Sequence, residues 1–311
     1  MLSVIIVSYK EPLSIAKAIN AIADKEYSGI DDNYEIIQVS PDKDTLTNGY
    51  LAAEKLNILN NFIQIKDPQK GKPYALNLAF KKAKGDIFVL TDGDVYFERN
   101  AIKNLISPFV DPEIGGVTGR PISIDSKTTM MNYYGNLLTD AAHDKRLHIM
   151  NRKTDEGYFI ADSGFFPLSG YICAVRNLKI KLPSDTLVDD AYISYAVFNK
   201  DYKLAYEPRA KVFVKFPKTL NDYFKQKVRS LGGYTQLRKY DIVKKNKNSR
   251  TFFDELAYFW FPITYAETPK ESIWSLLLYP IRFWTWILIA KDRVLGNKSF
   301  SKSWTRIEST K

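Results

Sequence analysis

Apolar residues in the first third of the chain gather into short runs separated by polar turns. Leu2-Ser3-Val4-Ile5-Ile6-Val7 reads as a buried strand, and Ser8-Tyr9-Lys10-Glu11-Pro12 as its turn into a helix through Ile22, with the proline near the helix start. Tyr34 to Val39 reads as a second strand, Asn61 to Ile65 as a third, and Pro73 to Lys84 as a helix. That helix leads into Ile87-Phe88-Val89-Leu90, a run apolar enough to be covered on both faces. Strands alternating with helices predict an α/β fold with a mostly parallel sheet and right-handed crossovers. Beyond about residue 110 the alternation turns irregular. Gly115 to Pro121 looks like a strand and turn, and Thr128 to about Met150 like a helix, so a second half is built onto the same sheet.

The pattern changes again near the carboxyl end. Phe252-Phe253 and Leu256 to Ala266 form an apolar aromatic segment broken by Pro262, and Trp274 to Ala290 form a second, with Trp274, Trp284 and Trp286. As a straight helix the second reaches roughly 26 Å, under the ~30 Å hydrocarbon core, and Arg282 at its centre costs ~3 kcal/mol. A membrane span is therefore strained. The alternatives are interfacial helices with tryptophans at headgroup depth, held also by Lys291, Arg293, Lys298 and Lys302, or a packing surface in a soluble fold.

Composition narrows the class. A chain of 311 residues, 45% hydrophobic, can bury one large α/β core, which excludes a disordered tail or a mini-protein. Its single cysteine, Cys173, excludes an internal disulfide and lies in an apolar stretch where burial is expected. The start at Leu2 lacks the pattern of a signal peptide, so the catalytic part is expected to face the cytosol. Lys and Arg number 45 against 35 Asp and Glu, a formal charge of +10 that attracts polyanions, anionic membranes or sugar nucleotides. Much of the excess follows residue 200: Lys211, Lys215, Lys218, Lys225, Lys227, Arg229, Arg238 and Lys239, then Lys244, Lys245, Lys247 and Arg250. Aromatic material follows that block, an order that favours a membrane surface.

Candidate chemistry centres on Asp92-Gly93-Asp94, which closes the fourth strand. In open α/β sheets the ligand crevice lies outside the carboxyl ends of the strands. Two carboxylates delivered there suit Mg²⁺ or Mn²⁺ holding a nucleotide diphosphate. Neither G-x-G-x-x-G nor G-x-x-x-x-G-K-[ST] is present, which weakens dinucleotide-binding and P-loop readings. His143 and His148, five apart, do not share a helical face as zinc ligands would.

Taken in order, these segments resemble the family 2 glycosyltransferases of the GT-A fold, and within them the membrane-associated hyaluronan, chitin and cellulose synthase branch. The likeness covers roughly residues 2–235. Val4 to Glu11 is similar to the family's opening strand and turn, which implies base-side contacts from Ser8 and Glu11; a Glu in the positive first turn of a helix is the other reading of Glu11. Where the family places an acidic pair, this chain reads Val39-Ser40-Pro41-Asp42, so Ser40 or Asp42 either replaces that contact or makes a turn. Lys70 to Asn77 resembles the Gly-Lys-x-x-Ala-Leu-Asn segment, which puts Lys72 beside the diphosphate and Asn77 in the helix or against a neighbouring loop. Asp92 and Asp94 match the D-x-D, the first facing the nucleoside and both placed at the metal. Ser169-Gly170 looks like the acceptor-side Ser-Gly segment, and Leu187-Val188-Asp189-Asp190 like the Glu-Asp segment, with Asp189 on the acceptor side and Asp190 as the base. An Asp-rich helix N-terminus is the alternative for that pair. Gln226-Lys227-Val228-Arg229-Ser230 resembles Gln-x-x-Arg-Trp, with Gln226 toward the acceptor, Arg229 neutralising the leaving group, and Ser230 in place of the tryptophan of processive members.

The resemblance implies an inverting, metal-dependent transfer from a nucleotide-diphosphate sugar, a UDP-sugar by family habit, to a hydroxyl of a glycan or lipid-linked acceptor at the cytosolic membrane face. Residues 1–240 would form the catalytic domain, with a nucleotide half to 110 and an acceptor half from 111, and 241–311 a membrane-associated segment. Nucleic acid is not expected as a partner, and a separate membrane subunit would have to supply any translocation channel. Rival readings are a nucleotidyltransferase, which commonly needs a Gly-rich phosphate loop, and a non-catalytic basic module that grips glycan or nucleic acid.

Overall fold

A computed structural model of the chain describes residues 1–161, 164–243 and 255–294, the side chains of 292–294 excepted. In chain order it contains β1 (Leu2–Val7), α1 (Ile15–Ala23), α2 (Lys25–Ser28), β2 (Tyr34–Ser40), α3 (Lys43–Lys55), β3 (Phe62–Lys66), α4 (Lys72–Lys82), β4 (Ile87–Asp92), β5 (Tyr96–Phe97) and α5 (Ala101–Ile106). There follow β6 (Ile114–Ser123), α6 (Met130–Ile149), β7 (Arg152–Lys153), β8 (Phe159–Ile160), β9 (Ile172–Arg176), α7 (Asp189–Phe198), β10 (Lys203–Val214), α8 (Leu220–Gln236), α9 (Phe261–Tyr265) and α10 (Pro269–Val294). The backbone forms two compact units, one of Met1–Pro121, Arg146–Ser184 and Asp189–Val214, the other of Ile122–Lys145, Asp185–Val188 and Lys215–Lys311.

The first unit is built on a sheet of order β3-β2-β1-β4-β9-β6-β10-β8-β7, with β5 on β10. The expected parallel pairing holds across β3, β2, β1 and β4. From β9 the sheet is extended antiparallel, β9 against β4 and β6, β10 against β5 and β8. Register sets the crevice: Val7 lies opposite both Val39 and Asp92, so the carboxyl ends of β1, β2 and β4 are flush. Because β9 runs the other way, its first residues meet the end of β4, with Ile172 opposite Thr91. Cys173 is buried in the core with Leu90, Val175 and Ile193, as its apolar surroundings suggested.

Helix α3 escaped the hydrophobic pattern, and its packing explains why. Its buried positions are Thr45, Gly49, Ala52 and Ala53, small residues with no apolar stripe to announce them. Gly49 is bare because the amide of Gln38 occupies the space a Cβ would need. That amide donates to the Thr45 carbonyl at 2.9 Å and accepts from Gln64 at 2.8 Å, so the polar layer is satisfied rather than greasy.

The second unit is helical and aromatic. Tyr133, Tyr134, Tyr223 and Leu278 form its core, with Phe261, Tyr265 and Trp274 against it. Three tyrosine hydroxyls tie it together: Tyr133 meets Ser275 at 2.7 Å, Tyr134 donates to the Trp274 carbonyl at 2.8 Å, and Tyr265 to Asp140 at 2.8 Å. The first apolar aromatic segment changes element at Pro262, with a turn at 257–260 before it. Pro262 occupies the first turn of α9, where the missing N–H costs nothing. The second apolar segment is longer than the Trp274–Ala290 stretch suggested, one helix from Pro269 to Val294 that runs through Pro280. Arg282 bonds to the Tyr223 hydroxyl at 3.1 Å and to Glu255. Lys244, Lys245, Lys247, Arg250, Phe252, Phe253, Lys298 and Lys302, and the side chain of Arg293, lie outside the described residues.

Candidate active site

β4 carries Asp92 at its last position and Asp94 in the turn that follows. Gly93 between them is required by contact. A Cβ there would come within 2.5 Å of Glu11 Oε2 and 2.9 Å of Ser8 Cβ, so the turn after β1 lies directly against the Asp-Gly-Asp turn. Ser8 and Glu11 are both buried in this contact, at 2 % and 8 % exposure. α1 begins only at Ile15 and has no acidic residue in its first turn, so the helix-dipole reading of Glu11 does not hold.

Ser40 and Asp42 make the turn that the sequence left open. Asp42 caps α3 through the Thr45 N–H at 2.9 Å, accepts the Lys10 N–H at 2.7 Å, and receives the Ser40 hydroxyl at 3.0 Å. Burial alone would raise its carboxyl, but these donors outweigh it and hold the group below the usual aspartate range. Ser40 is fully buried.

Lys72, in the first turn of α4, reaches into the crevice. Its ammonium lies 2.7 Å from Asp92 and 3.7 Å from Asp189, all three side chains being largely buried. Burial pulls the Lys72 ammonium down, yet the Asp189 and Asp92 carboxylates carry it above the ordinary lysine value. Asp92 is raised, by burial first and then by Asp94 and Asp189, against the lowering effect of Lys72. Lys72 thus faces both Asp92 and Asp189, and Asp94 and Asp190 act on the same pair of charges. Carboxylate oxygens are the donors a hard divalent cation takes, and Asp92 and Asp94 are the residues that would hold it.

Asp189 and Asp190 open α7. Lys72, Thr91, Gly170, Cys173, Asp189 and Asp190 line a narrow cleft. Gly170 lies against the base candidate: a Cβ there would sit 3.2 Å from Asp190 Oδ2. The Ser-Gly segment and the Asp-Asp segment, far apart in sequence, therefore meet within the first unit. Gln226 and Arg229 lie on α8, in the second unit.

Three residues that the motifs did not single out hold this arrangement. Ser194, one turn after Asp190, donates to the Asp190 carbonyl at 2.6 Å and accepts the Leu168 N–H at 2.9 Å. Thr118 on β6 accepts the Ser169 N–H at 2.9 Å. Asp67, just past β3, accepts the Gln69 N–H at 2.6 Å and shapes the loop leading to Gly71 and Lys72. The i, i+4 spacing of Ser194 from Asp190 was the only local signal among them. Asn77 does bond to a neighbouring loop, exchanging two hydrogen bonds with the Leu182 backbone at 2.8 and 2.9 Å.

A parallel sheet with paired carboxylates at its carboxyl edge, continued by antiparallel strands, defines a nucleotide-sugar transferase fold of the GT-A type. The family model for glycosyl transferase family 2 matches residues 3–172, more than half of the chain, and the protein belongs to that family. Poly-β-1,6-N-acetyl-D-glucosamine synthase of Staphylococcus epidermidis is 25% identical over 290 residues, 93% of this chain and 63% of that protein. The synthase of that name from Staphylococcus aureus strain COL is 28% identical over 198 residues, 63% of this chain and 47% of the relative. The chain thus spans less than two thirds of the length of either. Among solved structures, a mannosyltransferase from Pyrobaculum calidifontis in complex with GDP-Man and Mn²⁺ superposes with a TM-score of 0.60 at 18% identity, covering 91% of this chain and 82% of that one. A mycobacterial protein gives 0.51 at 15% identity, covering 79% and 76%. These last two are likenesses of fold.

Proposed function

We propose that this family 2 glycosyltransferase performs an inverting, metal-dependent transfer from a nucleotide-diphosphate sugar, a UDP-sugar, to a hydroxyl of a glycan or lipid-linked acceptor at the cytosolic face of a membrane. The observation that carries the reading is the grouping of four carboxylates at the end of β4, with Asp94, Asp189 and Asp190 around the pair of Lys72 and Asp92. When bound, Mg²⁺ or Mn²⁺ supplies positive charge to the diphosphate. Lys72 adds a second cation at the same group and Arg229 supports its departure. Asp190, against Gly170, takes the proton of the acceptor hydroxyl as that oxygen attacks the anomeric carbon. Ser8 and Glu11 act on the base side, and Ser169, Asp189 and Gln226 on the acceptor side. Ser40 and Asp42 act on the base side, through the turn they build. In this division of labour residues 1–240 are catalytic and 241–311 attach the enzyme to the membrane, whatever channel a partner subunit adds.

The relatives' names make UDP-N-acetylglucosamine the first donor to try. Purified protein in detergent, given UDP-, GDP- and dTDP-sugars with Mn²⁺ or Mg²⁺, is expected to release nucleotide from one donor, and Asp94→Ala to abolish that release. Asp190→Asn is expected to bind donor normally while turnover falls about 10²–10⁴-fold. Near-normal turnover in that variant removes the base assignment. No metal-dependent nucleotide binding or release from any donor removes the transfer reading itself.

A further inference from the structure

Helix α10 has two faces of opposite character. Ser275, Leu278, Thr285 and Ile289 point inward, none more than 2 % exposed. Ile273, Leu276, Leu277, Phe283, Trp284 and Ile287 point outward, each between 39 % and 60 % exposed. Their spacing of three, four and seven puts them on one stripe, and Pro280 falls on it too. At about 1.5 Å per residue the stripe runs roughly 21 Å without a charged side chain. Scattered exposed apolar residues are ordinary, but a continuous band of this kind marks a contact surface. Trp260, 69 % exposed, and Ile263 add to the apolar surface of the neighbouring segment, which the Tyr279 hydroxyl ties to α10 through the Phe259 carbonyl at 2.6 Å.

By length and composition α10 also passes as a bilayer span between Pro269 and Lys291. Its packing argues otherwise. The inward face is committed to Tyr133 and Tyr134 of α6 and Tyr223 of α8, and Arg282 to Tyr223 and Glu255. α8 carries Asp222, Lys225 and Lys227, and α6 carries Asp140 and Asp144. A span would either draw those charges into hydrocarbon or strip the inward face from its partners. Lying flat demands neither.

Charge selects the occupant. Lys270 and Lys291 are exposed near the two ends of the stripe, and a chain of net charge +10 repels a second copy of itself while attracting anionic headgroups. Trp284 on the stripe has the amphipathic ring suited to headgroup depth. We propose that α10 docks in the plane of an anionic lipid surface, with the Ile273–Ile287 stripe immersed in the interface and no crossing of the bilayer. This choice between flat attachment and span does not depend on which reaction the carboxylates perform.

Flotation of the full chain with phosphatidylcholine vesicles, with and without phosphatidylglycerol, tests the proposal against Leu277→Glu/Trp284→Glu and, independently, Leu276→Glu/Phe283→Glu. The expected result is binding that needs the anionic lipid, weakens with salt and is released by carbonate. Each double variant is expected to lose partitioning about 100-fold while melting at the wild-type temperature. Carbonate-resistant protein would establish a span and overturn the proposal. So would unchanged flotation of both variants, or a dimer in light scattering that the variants convert to monomer while still binding vesicles. Failure of donor hydrolysis, with flotation as expected, would count against the transfer reading alone.

Discussion

Each unit of this protein buries a cation against a carboxylate, and the two pairs are finished differently. Arg282 meets Glu255, the Tyr223 hydroxyl takes a further guanidinium N–H at 3.1 Å, and Glu255 also accepts the Trp286 indole N–H at 2.8 Å. Lys72 meets Asp92, but Asp189 stands 3.7 Å away, and Asp94 and Asp190 add more negative charge. The first pair is closed by neutral donors and acceptors. The second is joined by further carboxylates that line a cleft. A buried ion pair by itself says little about function, because desolvation offsets most of its attraction. Its surroundings carry the difference: further carboxylates beside Lys72 suit a ligand, and the neutral Tyr223 and Trp286 beside Arg282 and Glu255 suit an internal brace.

The comparison breaks most readily at Lys72. Lys72→Met is expected to lower donor turnover about 10²–10³-fold with little change in melting temperature. Asp92 can take up a proton when its partner goes, its carboxyl already being raised by burial and like charge. Arg282→Met is expected to do the reverse, costing about 3 kcal/mol of unfolding free energy by stranding Glu255, while the folded fraction keeps its turnover. Denaturant titration beside a nucleotide-release assay checks both; a stability loss at Lys72 with full turnover would erase the distinction.

A smaller effect should follow from Asn77→Ala. Losing both bonds to the Leu182 backbone is expected to cost about 2 kcal/mol, and since that loop leads toward Asp189 the loss should appear in turnover as well as in melting. Smallest is Asp42→Ala, about 1 kcal/mol for a lost helix cap. Because the folded state holds the Asp42 carboxyl below its ordinary value, its contribution is present above the usual aspartate range and fades as pH falls through the lowered value. The penalty should therefore be full at neutral pH and shrink in acid, which urea melts at several pH values would show.

Legibility differed between elements for physical reasons. β1 and β4 could be read because strands buried on both faces are mostly apolar, and β2 could be read from Ile36, Ile37 and Val39 although its buried Glu35, Gln38 and Ser40 are polar. α3 could not, because small and polar side chains fill its buried face and Gln38 supplies the contact. α10 could be read as apolar but not as one-sided: the outward stripe and the inward Ser275 and Thr285 interleave along a sequence that looks uniformly hydrophobic. Ser8, Glu11, Lys72, Asp92 and Asp94 could be named in advance, but nothing local showed that Gly93 is bare because Glu11 lies against it.

Sequence alone determined the α/β class, the parallel strands that end at one edge, the family and the residue types able to hold a metal and move a proton, since these follow from runs, spacings and side-chain chemistry that need no partner. Tertiary structure decided which carboxylates share a space with Lys72, that Ser194 joins the Asp190 carbonyl to the Ser-Gly loop, and which side of α10 is left uncovered. The reason is that charge balance and burial depend on neighbours far apart in the chain, and the reversal at β9 brings Gly170 to the end of β4.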